Sequence, residues 1–400
     1  MRGRLLIAIA LILFVSTLLI TGCNGARETD EVAYVLLIGI DKKEEGKYDI
    51  TYQVAVPKSL SGEGGGGADN KSTILITVTA TSLAEARNLL SSTVGRSINL
   101  SHNKAFVFGE KFARGGLGDF LAPLLRYREF RGSMFVIVAH DITAAEFLEK
   151  NQPFLEQLPS KFIETMILTY DDTGYYQRIN LHEFYSRMKA GIGATYAMLA
   201  GVNDTKEGKD TPVGVKDPGE RSEEYVAGKL PIRGPGNPVN FAGTAVFRQD
   251  KMIVILTNEE TRMLGILEGH FPRGFLVVED PLVPKKGVNI NLRLGKPPDI
   301  KVRIVNDSPV ISVDILLEGE VTAIPSGVNY ERGEYRQQLE QQISRVVRGQ
   351  MEKMLMKTRD WARYDWADKY SQSQFEIKVT TKLRRAGLMW QTAPNDQSPE

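Results

Sequence analysis

Residues able to do chemistry are few in this chain, and their spacing argues against most catalytic devices. There are four histidines, His102, His140, His182 and His270, and a single cysteine, Cys23. No two histidines form an HExxH or other close pair, and one thiol cannot build a structural zinc site, so the sequence indicates no metal. Taken singly, the histidines read as surface or hydrogen-bonded imidazoles. Gly62, Gly64 and Gly67 spell the dinucleotide pattern GxGxxG. A strand-like run, not a helix, follows them, so a pyrophosphate would find no helix N-terminus to sit on. No Walker A loop and no GxSxG elbow occurs, and no cofactor is indicated. Asp171-Asp172 and Glu223-Glu224 are adjacent carboxylates in polar stretches, which reads as solvated loop charge. Arg126, Arg128 and Arg131 fit a solvated helix end, with a partner or phosphate patch as the other reading. Trp361 and Trp366, with Tyr364 and Tyr370 beside them, either pack a helix end onto a sheet or form an aromatic contact surface.

Cys23 stands apart because of what precedes it. Met1-Arg-Gly-Arg4 is a basic start, and Leu5 to Ile20 is a run of 16 residues, apolar except for Ser16 and Thr17. A bilayer-spanning helix needs about 20 apolar residues, so this length suits a signal-peptide core better than a membrane span. Ile20-Thr21-Gly22-Cys23 resembles a bacterial lipobox, in which small side chains precede the cut and a diacylglycerol is attached to the cysteine sulfur; the other reading is a signal anchor with an incidental cysteine. On the lipobox reading the mature chain starts at Cys23 with enough acyl chain for stable anchoring, lies outside the cytoplasmic membrane, and has no thiol left for an internal disulfide.

Composition bounds the rest. The formal net charge is +1, and Arg2 and Arg4 supply two positive charges to the signal segment, so the mature chain would carry −1. That balance gives no argument for nucleic acid. Hydrophobic content of 42% and charged content of 25% describe an ordinary globular chain, long enough for two or three domains.

The elements expected to position these residues alternate between the two periods. Glu31 to Asp41 reads as a buried strand, Lys47 to Val56 as its hairpin partner, and Ser72 to Ala80 as a third strand. Pro57 to Lys71 is a polar, glycine-rich loop. Ser82-Leu-Ala-Glu85 and Thr143-Ala-Ala-Glu146 read as capping boxes that open helices. Strands are expected at 103–109 and 133–140, helices near 154–168 and 181–190, and an apolar piece at 194–199. Residues 201–239 change to Gly, Pro and charge and are read as a linker. A hairpin turning at Gln249-Asp250 then restarts the pattern, Thr257 to Glu260 caps a short helix, and several strand-like runs follow. A long helix near 331–358 carries an apolar stripe of Leu339, Ile343, Val346/Val347, Met351 and Met354/Leu355. Residues 374–383 form a last strand. The expected architecture is α+β and multidomain, with mixed or antiparallel sheets flanked by helices. The expected division is a signal peptide over 1–22, an N-terminal domain of one or two lobes over 23–200, a linker over 201–239, a C-terminal domain over 240–390 and a polar tail over 391–400.

Several stretches, in order, resemble the C-subunit lipoproteins of bacterial spore germinant receptors, the Ger(x)C family. They are the lipobox; "VAYVLLIGID" ending in Asp41; the helix-then-strand segment with His102, Lys104, Gly109 and Glu110; "LLRYREFRGSMFVIVA"; the mid-chain block with Gly243 and Thr244; and the long helix, Trp-bearing segment and last strand. The resemblance implies a subunit without enzymatic activity, anchored through Cys23 to the outer face of the spore inner membrane. It implies assembly with two integral-membrane subunits of A and B type, in a complex that answers nutrient germinants. Two other readings fit a lipid-anchored chain of this length. A solute-binding lipoprotein of a transporter would need two similar doubly wound lobes around a cleft. An envelope hydrolase would need two carboxylates brought together in a deep cleft.

Overall fold

The computed structural model describes residues 2–4, 7, 10, 31–56, 72–124, 131–190, 194–203, 224–232, 236–361, 370 and 372–385. Cys23, the Gly62–Gly67 stretch, Arg126, Arg128, Glu223, Tyr364, Trp366, most of the expected linker and the tail lie outside the described residues, as do the side chains of Asp171, Asp172 and Trp361.

The first sheet begins with β1 (Val32–Glu44), whose near-continuous apolar run is buried on both faces. β2 (Lys47–Ala55) folds back on it and β3 (Thr73–Ala80) pairs antiparallel beyond β2. α1 (Leu83–Val94) starts where expected: the Ser82 hydroxyl accepts from Glu85 N at 3.3 Å. The return bond differs from a simple capping box, because the Glu85 carboxylate bonds the amide and hydroxyl of Thr81. β4 (Ser97–Asn99) and β5 (Ala105–Gly109) both run parallel to β1. Two short helices follow, α2 (Glu110–Gly115) and α3 (Gly118–Leu124), and then β6 (Phe135–Ala139), parallel to β5. α4 (Ala144–Lys150), capped by the Thr143 hydroxyl at Glu146 N, leads to α5 (Pro159–Leu168) and α6 (Leu181–Ala190). β7 (Ala194–Val202) adds parallel to β6, and β8 (Val239–Arg248) and β9 (Lys251–Leu256) close the sheet as an antiparallel hairpin.

The result is a nine-stranded mixed sheet in the order β3-β2-β1-β5-β6-β7-β8-β9, with β4 beside β1. Its parallel centre carries alternating side chains into two cores. Phe106, Phe108, Val136 and Val138 enter the larger one, while Ala105, Val107, Ile137 and Ala139 enter the one under α4 and α5. The sheet curls around α2 and α3. Tyr48 of β2 packs on Phe112 and Phe120, and at the other end of the sheet the Asp250 carbonyl accepts from Leu117 N at 2.9 Å.

α7 (Asn258–Leu267) leads to the second sheet, built from β10 (Gly274–Glu279), β11 (Gly287–Leu294), β12 (Asp299–Val305) and β13 (Ser308–Ala323). α8 (Gly333–Trp361) then crosses its face, and β14 (Gln374–Arg385) returns parallel to β13. The expected stripe of α8 is the face it buries: Leu339, Ile343, Val347, Met351 and Met354 pack on Ile290, Val313, Ile315 and Leu317. Burying one fully apolar side chain of this size contributes about 1.5–3 kcal/mol, so this stripe, not helix propensity, holds α8 in place.

The architecture is α+β with mixed sheets, as expected from the alternation of periods. The expected division at Asn240 does not coincide with a break between the sheets. Residues 239–256 belong to the first sheet, because β8 is buried along nearly its whole length and needs β7 beside it and cover on both faces. The two sheets differ in strand number and order, so among the described residues the paired doubly wound lobes of a solute-binding protein are not present.

Candidate functional site

The C-terminal ends of β1, β5 and β6 lie side by side, the usual location of ligand sites in open α/β sheets. Each contributes a polar residue: Asp41 from β1, Glu110 directly after β5, and His140 directly after β6. Asp41 turns its carboxylate onto the start of α4. Oδ1 accepts from Ala144 N at 2.9 Å and Oδ2 from Ala145 N at 3.1 Å, so two orphan helix donors are satisfied by a residue 103 positions away. Burial pushes this carboxyl up, opposed by the two amide bonds.

Two glycines make that arrangement possible. A Cβ on Gly109 would lie 2.1 Å from Asp41 Oδ1, and a Cβ on Gly39 would lie 2.9 Å from Leu148 Cδ1 and 3.2 Å from Ala144 Cβ. The Gly-Ile-Asp and Gly-Glu stretches of the sequence are therefore one packing device: Gly39 admits α4, Asp41 caps it, and Gly109 leaves room for the cap.

Glu110 and His140 form the second half of the site. His140 Nδ1 lies 2.7 Å from Glu110 Oε2, which also accepts from Asp141 N at 3.1 Å. Arg114 bonds Glu110 Oε1 at 2.7 Å from one helical turn on. The His140 bond, with those from Asp141 and Arg114, holds the Glu110 carboxyl down to about 2. Asp141 adopts φ 58°, a left-handed conformation that Asp tolerates better than most residues, and its carboxylate meets Lys229 at 3.2 Å.

Among the described residues, Glu110, His140 and Asp141 are the group that brings three possible metal ligands within 4.8 Å of one another. Their present partners do not favour a cation. Arg114 and Lys229 already supply two positive charges, and both Glu110 oxygens are bonded within the chain. The cluster is an ion-pair and hydrogen-bond network tying the ends of β5 and β6 to α2, beside the separate Asp41 cap on α4.

The other sequence candidates are dispersed. His102 stacks edge-on with Tyr34 at 5.1 Å, and Lys104 pairs with Glu164 at 2.9 Å; both precede β5, at the opposite end of that strand from Gly109 and Glu110. His182 begins α6, and His270 is exposed beside Glu268. Arg131 is exposed. Tyr370 packs on Phe375 with ring centroids 5.9 Å apart, which fits the packing reading for that position. Gly243 N donates to the Tyr175 carbonyl, and the Thr244 hydroxyl meets Thr261. Sequence reasoning missed the Glu110–His140 pair, because nothing in a 30-residue separation signals it.

Comparison with known proteins explains why these stretches recur in order. A family profile described as "Spore germination protein N-terminal domain" matches residues 25–200, and one described as "Spore germination B3/GerAC like, C-terminal" matches residues 242–362. The chain belongs to the Ger(x)C family. The family's N-terminal match contains Asp41, Glu110 and His140, whereas β8 and β9 of the first sheet fall mainly in its C-terminal match. Among Ger(x)C relatives, the chain is 26% identical over 245 residues to the "Putative spore germination protein YfkR" of Bacillus subtilis (strain 168), covering 60% of this chain and 56% of the relative. It is 28% identical over 190 residues to "Spore germination protein KC" of the same organism, covering 46% of each. The chain thus spans about half the length of the curated relatives it matches. The crystal structure of the GerBC protein aligns with a TM-score of 0.50, covering 86% of this chain and 96% of that one, and at 17% identity this likeness concerns the fold.

Proposed function

We propose that this protein is the lipid-anchored C-type subunit of a spore germinant receptor, serving the assembly and signalling of the nutrient-sensing complex. Diacylglycerol on Cys23 anchors it to the outer face of the spore inner membrane, where two integral-membrane subunits of A and B type are its partners. The observation that carries this reading is the order of features: a lipobox at Cys23, followed by the N-terminal and C-terminal family regions over 25–200 and 242–362. The relatives named spore germination proteins A3, B3 and KC support it. The bonds that Glu110 accepts from His140, Asp141 N and Arg114 fit a structural role for this pair in an assembly subunit.

Co-purification from spore inner membranes, with a tag on the C-terminus, tests the proposal. Two integral-membrane proteins are expected to come down with the chain, and Cys23→Ala is expected to lose them and to impair nutrient germination. Recovery of a permease and an ATPase, or normal germination with a membrane-bound Cys23→Ala form, would overturn it.

A further inference from the structure

α7 is buried along its length although it begins Asn-Glu-Glu-Thr-Arg; Asn258 to Met263 are all buried. Its two glutamates are committed to different parts of the molecule. Glu259 bonds Arg262 Nη1 at 3.1 Å, Arg262 Nε donates to the Thr173 carbonyl at 3.2 Å, and the guanidinium lies 4.6 Å over the Tyr175 ring. These contacts hold α7 to the first sheet and its helices. Glu260 closes the capping box with Thr257, its Oε2 accepting from Thr257 N at 2.9 Å. The same oxygen accepts from Lys357 Nζ of α8 at 2.6 Å.

A second bond of this kind lies one turn earlier on α8, where Lys353 meets Glu224. The two are unequal. Lys353 and Glu224 have side-chain exposures of 55% and 37%, whereas Glu260 is exposed by 4% and Lys357 by 32%. Exposed pairs contribute little, because water screens them and replaces them readily. Apolar packing also joins α8 to the first sheet, since Val254 and Leu256 share a core with Met351 and Met354. Apolar contacts tolerate small sliding. A buried carboxylate does not tolerate losing its cation, because the charge would be left unpaired out of water.

We propose that the Glu260–Lys357 pair is the latch that makes the second sheet and α8 open and close as one unit with the first sheet, and that Lys353–Glu224 is not part of it. One oxygen serves both the start of α7 and the hold on α8, so a displacement of α8 is passed directly to the helix that follows β9.

The test is hydrogen exchange on the full chain in detergent, with Lys357→Met, Lys353→Met, Glu260→Gln and the double variant Glu260→Gln/Lys357→Met. The Gln amide oxygen can still accept from Thr257 N, so the cap survives in Glu260→Gln. In Lys357→Met, amides of the C-terminal half of α8 and of β14 are expected to exchange on the order of tenfold faster, with β1, β5 and β6 unchanged. Lys353→Met is expected to match the parent, and the double variant to be no worse than Lys357→Met alone. Equal acceleration in both sheets, an equal effect of Lys353→Met, fully additive single effects, or unchanged exchange in Lys357→Met would each overturn the latch.

Discussion

His140 Nδ1 and Glu110 Oε2 lie 2.7 Å apart, joining the ends of two adjacent parallel strands, β5 and β6. The bond dominates the downward shift of the Glu110 carboxyl to about 2 from an ordinary 4.5. A carboxyl that titrates lower in the folded chain than in the unfolded one stabilises the fold above the unfolded value, and that contribution fades as pH falls toward the folded value. Stability measured by urea unfolding is therefore expected to drop between about pH 4.5 and pH 2. Glu110→Gln is expected to cost about 1–3 kcal/mol at neutral pH and to flatten that slope. An unchanged slope in the variant would show that other carboxylates govern the acid limb.

Gly109→Ala is expected to be severe for its size. The new methyl would sit 2.1 Å from Asp41 Oδ1, so Asp41 must leave the start of α4. A loss of about 2–4 kcal/mol combines overpacking with two unmet helix amides. Asp41→Ala removes the clash and the cap together, so the double variant is expected to be clearly better than the sum of the two singles. Additive losses in chemical denaturation would refute the shared mechanism.

Removing one member of the Glu259–Arg262 pair is expected to be worse than removing both. The side chains are 4% and 6% exposed, and burial pushes the Glu259 carboxyl up despite the guanidinium beside it. Arg262→Met is expected to cost about 3–5 kcal/mol, and Glu259→Leu on that background to restore part of it. The midpoint of thermal unfolding in the parent and the two variants reads the order directly.

β12 is expected to behave in the opposite way. Ile300, Val302 and Ile304 lie along a strand whose outer edge has no partner among the described residues, with exposures of 46%, 59% and 56%. Val302→Lys should alter stability by no more than about 0.5 kcal/mol. Light scattering on heating should nonetheless fall, because a lysine on an open strand edge blocks edge-to-edge pairing. A large stability loss would mean that the stripe is covered in solution.

Local chemistry made much of this protein legible in the sequence. An apolar run and the polar turn after it located β1 and β2, the threonine and serine caps located the starts of α1, α4 and α7, and a stripe of period three to four located the buried face of α8. The order of those stretches was enough to suggest the Ger(x)C family. Only the tertiary structure decided that residues 239–256 close the first sheet, that Asp41 caps a helix 103 residues away beside Gly109, and that Glu110 meets His140. It also decided that the charged first turn of α7 is buried. The physical reason is the same in each case. Periodicity and capping depend on neighbours within a few residues, so the sequence carries them openly. Whether a charge can be buried depends on a partner such as Lys357 or the Thr173 carbonyl arriving from elsewhere in the chain, and only the folded arrangement supplies that partner.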